Sequence, residues 1–174
     1  MSDIVVAPFS NSDMRDWPVA HYGECVRLLL ARWPSGGTIH VVGTANQKLA
    51  ACGVVRQAPT ARVVNQCGRW SWDRVLGEIE RAACVIVNNS GIAHIAAGLG
   101  APTVCVFGGA HDRSEWRPLG PNVIVVTRAI GCSPCQLDHG QSSWYGKACL
   151  RQIEPVTVVE AALAAMARDR REAA

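Results

Sequence analysis

The sequence predicts an α/β domain built on a parallel sheet with helices on both faces. Three observations predict it: short β-branched apolar runs recur along the chain, each is followed by a stretch with helical spacing, and the alternation continues to the C-terminus. Runs such as Cys84 to Val87 and Pro102 to Phe107 are apolar throughout, which suits strands buried on both sides. In such sheets ligands sit beyond the carboxyl ends of the strands.

At 174 residues and 49% hydrophobic, the chain is long enough for one domain with a sizeable core and short for two. The expected division is an α/β core over 1–130, a cysteine-rich loop over 131–150 and a C-terminal helix over 151–174. The net charge of +3 is small and its carriers are mixed along the chain, which argues against nucleic acid as a partner. The basic tail from Arg168 to Arg171 reads as a solvated, frayed helix end rather than a membrane-surface patch. Met1-Ser2-Asp3-Ile4 lacks the basic start and apolar middle of a secretory signal. No apolar run approaches the roughly 18 residues of a membrane span. The expectation is a cytoplasmic protein without a transmembrane segment, free or peripheral at the inner face of the inner membrane. Cys52, Cys84 and Cys105 lie in or beside apolar segments, where a reduced thiol behaves as a small hydrophobe.

In chain order, Ile4 to Ala7 is a first strand and Pro8 to Asp16 a polar loop. Pro18 suits a first helical turn, and Val19, Tyr22, Val26, Leu29, Leu30 and Trp33 then recur at helical spacing. Ser35-Gly36-Gly37 breaks the chain, Thr38 to Val42 gives a second strand, and a short helix follows around Gln47 to Ala51. Ala61 to Asn65 is a third, weaker strand. Ser71 is a candidate N-cap for a helix whose inner face holds Trp72, Val75, Leu76, Ile79 and Ala83. Cys84 to Val87 and Ile92 to Leu99 form the central strand and helix. A strand over Pro102 to Phe107, an irregular stretch to Leu119 and a last strand over Asn122 to Val126 come next. After a long loop over Gly131 to Cys149, Pro155 opens a helix with Val156, Val159, Leu163 and Met166 inward.

The chemistry concentrates where the central strand meets its helix. Asn88, Asn89 and Ser90 are cap and turn residues, and Gly91 lets the backbone pass close to a ligand. An open helix N-terminus at a strand end gathers unpaired N–H groups and the positive end of a dipole, which together favour a phosphate or diphosphate. The loops at Ser10, Thr44, Asn89 and Gly108 should open on the same edge.

The string Asn88-Asn89-Ser90-Gly91-Ile92-Ala93-His94, then Ala96-Ala97-Gly98-Leu99-Gly100-Ala101-Pro102-Thr103, Phe107-Gly108 and Trp116-Arg117-Pro118-Leu119-Gly120-Pro121, resembles glycosyltransferase family 9. These are the ADP-heptose lipopolysaccharide heptosyltransferases and their relatives. Arg15-Asp16-Trp17-Pro18 is similar to their basic-x-Trp-Pro segment, and Cys132 to Cys135 with Cys149-Leu150 extends the likeness toward the C-terminus. The resemblance implies a Rossmann-like sheet forming the C-terminal, donor-binding half of a GT-B glycosyltransferase, with the N-terminal acceptor domain and its catalytic carboxylate absent. It implies a nucleotide sugar such as ADP-heptose as ligand, transferred with inversion, and a separate acceptor-domain chain as partner. Two rival expectations are a catalytically silent nucleotide-sugar-binding module or truncated remnant, and a GT-B epimerase. The epimerase is disfavoured because the double-glycine motif expected after Val87 is missing.

The resemblance also implies roles. Ser10, Asn11, Ser12, Ser90 and Gly91 would surround the phosphates, and Arg15 would supply the catalytic positive charge in place of the family's usual lysine. Its alternative is an exposed arginine leading into a helix. His94 would reach a phosphate or hydroxyl, or else be a core histidine bonded to a carbonyl. Asn89 stands where the family commonly has aspartate, and Asn46 and Gln47 where relatives often carry an acid for the ribose. Both replacements remove negative charge near the donor. No cofactor is expected in the chemistry. Cys132, Cys135, Cys149 and His139 would make a tetrahedral zinc or iron site, similar to the iron-bound cysteine motif of some relatives, or remain free thiols in a loop ordered by Pro134 and Trp144. Trp33 and Trp72 read as core. Trp70 suits a stacked base or the core, and for Trp116 with Arg117 both readings stay open.

Overall fold

The computed structural model describes residues 3–34 and 36–172, and side chains only to residue 168. Ser35, and the side chains of the tail beyond Arg168, lie outside what is described. The elements run β1 (Ile4–Ala7), a 3-10 turn (Asp13–Arg15), α1 (Val19–Arg32), β2 (Ile39–Val41), a 3-10 turn (Ala45–Gln47), α2 (Lys48–Val55), β3 (Val63–Asn65) and α3 (Trp72–Arg81). They continue as β4 (Cys84–Asn88), α4 (Gly91–Gly98), β5 (Thr103–Phe107), α5 (Arg113–Trp116), β6 (Val123–Thr127), α6 (Ala148–Arg151) and α7 (Pro155–Glu172).

All six strands pair in parallel, in the order β3-β2-β1-β4-β5-β6. The chain therefore reverses its direction of winding between β1 and β4, and in open parallel sheets the crevice at that reversal is where ligands bind. Strand alternation divides the core in two. Ile4, Val6, Cys84, Ile86, Val104 and Val106 face the side covered by α1, α2 and α7. Val5, Ala7, Val85, Val87, Cys105 and Phe107 face the side of α3 and α4. Trp17, only 1% exposed, ties the first side to the C-terminal segment. Its Nε1–H donates to the Ile153 carbonyl at 3.1 Å, and its ring meets Tyr22 edge-on at 4.9 Å.

Several expectations need correction. Trp72 is not core. It is the first residue of α3 and 52% exposed, because the helical stripe turns inward only from Val75 to the buried Ile79. Val156 is likewise exposed one residue into α7, and the inner face is carried by Val158, Val159, Ala162, Ala165 and Met166. The helix after β2 runs to Val55, beyond Ala51. The segment expected to be loop over Gly131 to Cys149 ends in α6, which buries Cys149 and Leu150. Trp33 is buried as expected, and the Ser71 hydroxyl accepts from the Arg74 N–H. Among the described residues no helix is long and apolar enough to cross a membrane.

Candidate functional site: an anion cradle at the β1/β4 switch point

Two segments leaving neighbouring strands build the site. After β1, the Ser10 hydroxyl donates to the Ser12 carbonyl at 2.7 Å and accepts the Ser12 N–H at 3.1 Å, folding the loop into the turn that carries Arg15. The Arg15 guanidinium reaches across to the Asn89 carbonyl at 3.3 Å and also donates to the Asn11 side chain. Arg15, half-buried, is thus fastened between the β1 and β4 segments.

After β4, Asn89 donates its N–H to Val106 at 3.2 Å, and Ser90 is the N-cap of α4 in extended backbone. Ser90 makes no side-chain capping bond. Its Oγ and the Arg15 Nε are both buried without a partner. The N–H groups of Ser90, Gly91 and Ile92 likewise find no acceptor among the described residues. Buried polar atoms left unpaired cost stability, and the open amides run from the buried Ser90 to the exposed Gly91, so the start of α4 is accessible to an anion. Ser12 lies at the same place, its hydroxyl facing the Asp138 carboxylate without a well-formed bond.

A cavity of about 820 Å³ opens from this cradle. One side is polar, from Ser10, Asn11, Thr44, Asn46, Gln47, Ser90 and Gly91. The other is apolar, from Phe9, Trp70, Trp72, Val75, Ile92 and Ile95. Among the described residues no carboxylate, lysine or arginine lines it. Gln47 is oriented by its Oε1, which accepts the Thr44 N–H at 2.9 Å, so its amide –NH₂ is the end left for a ligand. Trp70 leans on His40 at 4.7 Å and carries the Arg74 guanidinium 5.5 Å over its ring, leaving Trp72 as the exposed aromatic wall.

The sequence matches the glycosyltransferase family 9 (heptosyltransferase) model over residues 2–143. The chain belongs to glycosyltransferase family 9. Its fold is similar to E. coli ADP-heptose lipopolysaccharide heptosyltransferase II, with a TM-score of 0.80 and 22% identity over 97% of this chain and 47% of that one. It is similar also to E. coli heptosyltransferase WaaC with ADP, with a TM-score of 0.62 and 26% identity over 78% and 40%. A third likeness is to the iron-containing dodecameric glycosyltransferase TibC from enterotoxigenic E. coli H10407, with a TM-score of 0.65 and 14% identity over 97% and 45%. The chain spans less than half the length of each of these structures. Among curated proteins no sequence match is found.

In this family 9 chain the remaining expected residues divide. His94 is exposed on α4, outside the cavity lining, so neither a core histidine nor a cavity wall is formed by it. Asn89 is buried and contributes its carbonyl to Arg15. The four expected metal ligands are not brought together. His139 is exposed and its Nδ1 faces Asp13 at 3.1 Å, while the buried Cys149 sulfur accepts the Gly109 N–H at 3.2 Å. Cys132 and Cys135 are half-buried, and among the described residues no group of three potential ligands is placed to hold a metal.

Four residues to which the sequence assigns no role of their own stand near the cradle. Asp13 gathers the loop over 131–147: its carboxylate accepts from Gly140 N–H at 3.2 Å and faces His139, and its carbonyl accepts from Lys147 Nζ at 2.8 Å. Asp16 accepts the Ser10 N–H at 2.8 Å, and burial raises its carboxyl above the usual range. Asp138 is held below that range by the His139 N–H, then by Ser12, Arg15 and His111. His111 is pushed down by burial and by Arg15, and stacks on Trp116 at 5.2 Å. Trp116 is therefore 51% exposed beside the site and no part of the core. No run or periodicity marks isolated acids or a histidine after Gly-Gly, so the sequence offered no signal for them.

Proposed function

We propose that this chain is the donor-binding part of a glycosyltransferase of the heptosyltransferase type, holding the diphosphate of ADP-heptose or a related nucleotide sugar in the cradle. The observation that carries the reading is the Arg15 guanidinium held on the Asn89 carbonyl beside the start of α4, with Arg15 Nε and Ser90 Oγ buried and unpartnered and the amides of Ser90 to Ile92 open among the described residues. In glycosyl transfer the nucleoside diphosphate leaves with developing negative charge. A fixed guanidinium and preorganised N–H donors stabilise that charge without reorganising. The neighbouring cavity has the size and the mixed walls for a nucleoside, with Trp72 as the face on which a base stacks.

Among the described residues no carboxylate lines the cavity, and none of its lining side chains is suited to take a proton from an acceptor hydroxyl. We assign that role, and the acceptor site, to a partner chain or another part of the protein. The same observation favours a second reading, a nucleotide-sugar-binding module without turnover. Calorimetry with ADP, UDP and GDP and their sugars tests the first step. ADP and ADP-sugar should bind, and Arg15→Ala should weaken binding about tenfold or more, since a hydrogen bond to a charged group contributes about 1.5–3 kcal/mol. Failure of every nucleoside diphosphate to bind would remove the proposal. Turnover that appears only when an acceptor domain is added separates the transferase from the silent module.

A further inference from the structure

Beneath the cradle lies a hydrogen-bonded floor in which every polar atom of one buried amide is used. Asn88 is fully buried; its Oδ1 accepts from Trp17 N–H at 3.1 Å and Tyr22 O–H at 2.8 Å. Its Nδ2 donates to the Pro8 carbonyl at 2.7 Å and to Asp16 Oδ1 at 3.2 Å. Two donors on one end and two acceptors on the other fix which way the amide points, so the atom facing Asp16 is a donor. The same Asp16 oxygen accepts the Ser10 N–H at 2.8 Å. Ser10 in turn clamps Ser12 through its hydroxyl, and the Arg15 N–H closes on the Ser12 carbonyl at 3.0 Å. An unbroken set of contacts therefore runs from the end of β4 through Asp16 to the turn that presents Arg15.

We infer that Asp16 is a positioning residue of the anion site: outside the cavity lining, its carboxylate holds Ser10, and through Ser10 sets where Ser12 and Arg15 stand relative to the N-terminus of α4. The inference rests on the diphosphate reading above. It assigns Asp16 a hydrogen-bond acceptor's role, taking two N–H groups on one oxygen. A neutral acceptor of the same shape can do the same.

The test compares wild type, Asp16→Asn and Asp16→Ala by calorimetric titration with inorganic pyrophosphate and with ADP, each variant's thermal melt being recorded alongside. Asp16→Asn retains Oδ1 for Ser10 and Asn88 and should bind within about threefold of wild type. Asp16→Ala should bind at least tenfold more weakly while still melting cooperatively. Equal binding by Asp16→Ala, or an equal loss in Asp16→Asn, overturns the role. Amide hydrogen exchange of the free wild-type protein adds a measurement that needs no variant. The Ser10 N–H should be protected before any ligand is added, and exchange at the rate of an open loop counts against the inference. Wild type that binds neither probe sinks the diphosphate reading and this inference together; wild type that binds while Asp16→Ala is indifferent sinks only the latter.

Discussion

A methyl group built on Gly91 would meet no atom within 4 Å, although Gly91 is the first residue of α4 and lines the cavity. The packing of the chain itself therefore leaves room for alanine here, and the close approach of a ligand to the amides is the remaining constraint. Gly91→Ala should leave the melting temperature unchanged or slightly raised, since alanine in a helix gains up to about 1 kcal/mol over glycine. Its affinity for ADP should fall severalfold, as read by calorimetry. A variant that binds as wild type would show that nothing passes that close. Gly109 is the opposite case, because an added Cβ would come 2.2 Å from the Ser133 hydroxyl. Gly109→Ala should lower the melting temperature whatever it does to binding.

At the scale of elements, the segment over 131–147 is fastened to the Arg15-bearing turn chiefly through Asp13, which meets His139, Gly140 and Lys147. These contacts are largely exposed, and exposed pairs contribute about 0–1 kcal/mol, so Asp13→Ala should barely move the global melt. Proteolytic cutting within 136–146 should nonetheless become faster. Asp13 is held below the usual carboxylate range by the Gly140 N–H, with Lys147 and His139 adding to it. Its contribution is therefore present at neutral pH and lost as pH falls through that lowered value. Cutting by an acid-active protease should rise there in wild type, and Asp13→Ala should show no such rise. The segment also shows where the sequence stops being legible. Strands were readable because β-branched runs such as Cys84 to Val87 have few other uses, and Ser71 announced its helix by being a cap. Two apolar residues, Cys149 and Leu150, were too little to announce α6. Trp72 fitted the helical stripe but sits at the helix start, where a residue faces the cavity rim instead of the sheet. Ser10, Asn11, Asn46, Gln47, Ser90 and Gly91 line one cavity. The spacing of Cys132, Cys135 and Cys149 carried no information about His139, whose partner Asp13 is 126 residues away in sequence. The order of the strands, which puts the Ser10 loop beside Asn89, has no local signature either.

The whole molecule joins this cradle to two cores, one on each face of the sheet, and five of its eight cysteines lie in them. Cys25 on α1 and Cys84 on β4 face one core, and Cys105 on β5 faces the other. Burial pushes the Cys25 and Cys105 thiols up to about 12 and Cys84 higher still. Thiolate chemistry at these positions is thus closed while the fold is intact, and an alkylating agent reaches them only when the sheet opens. Because a single sheet separates the two cores, opening one face without the other would leave β4 and β5 half-stripped of cover. Cooperative loss of both is the cheaper route. Native protein treated with iodoacetamide should label the half-buried Cys52, Cys132 and Cys135 first, and Cys25, Cys84 and Cys105 together at one slow rate, followed peptide by peptide by mass spectrometry. If ADP occupies the cradle, it binds only the folded state, so ADP at 100 times its dissociation constant should slow those three by about 100-fold. Cys132 and Cys135 should be unaffected. Labelling of Cys105 well ahead of Cys84 would show that the two faces open separately. Equal rates that ADP leaves unchanged would show that the nucleotide does not hold the folded chain at the β1/β4 crevice.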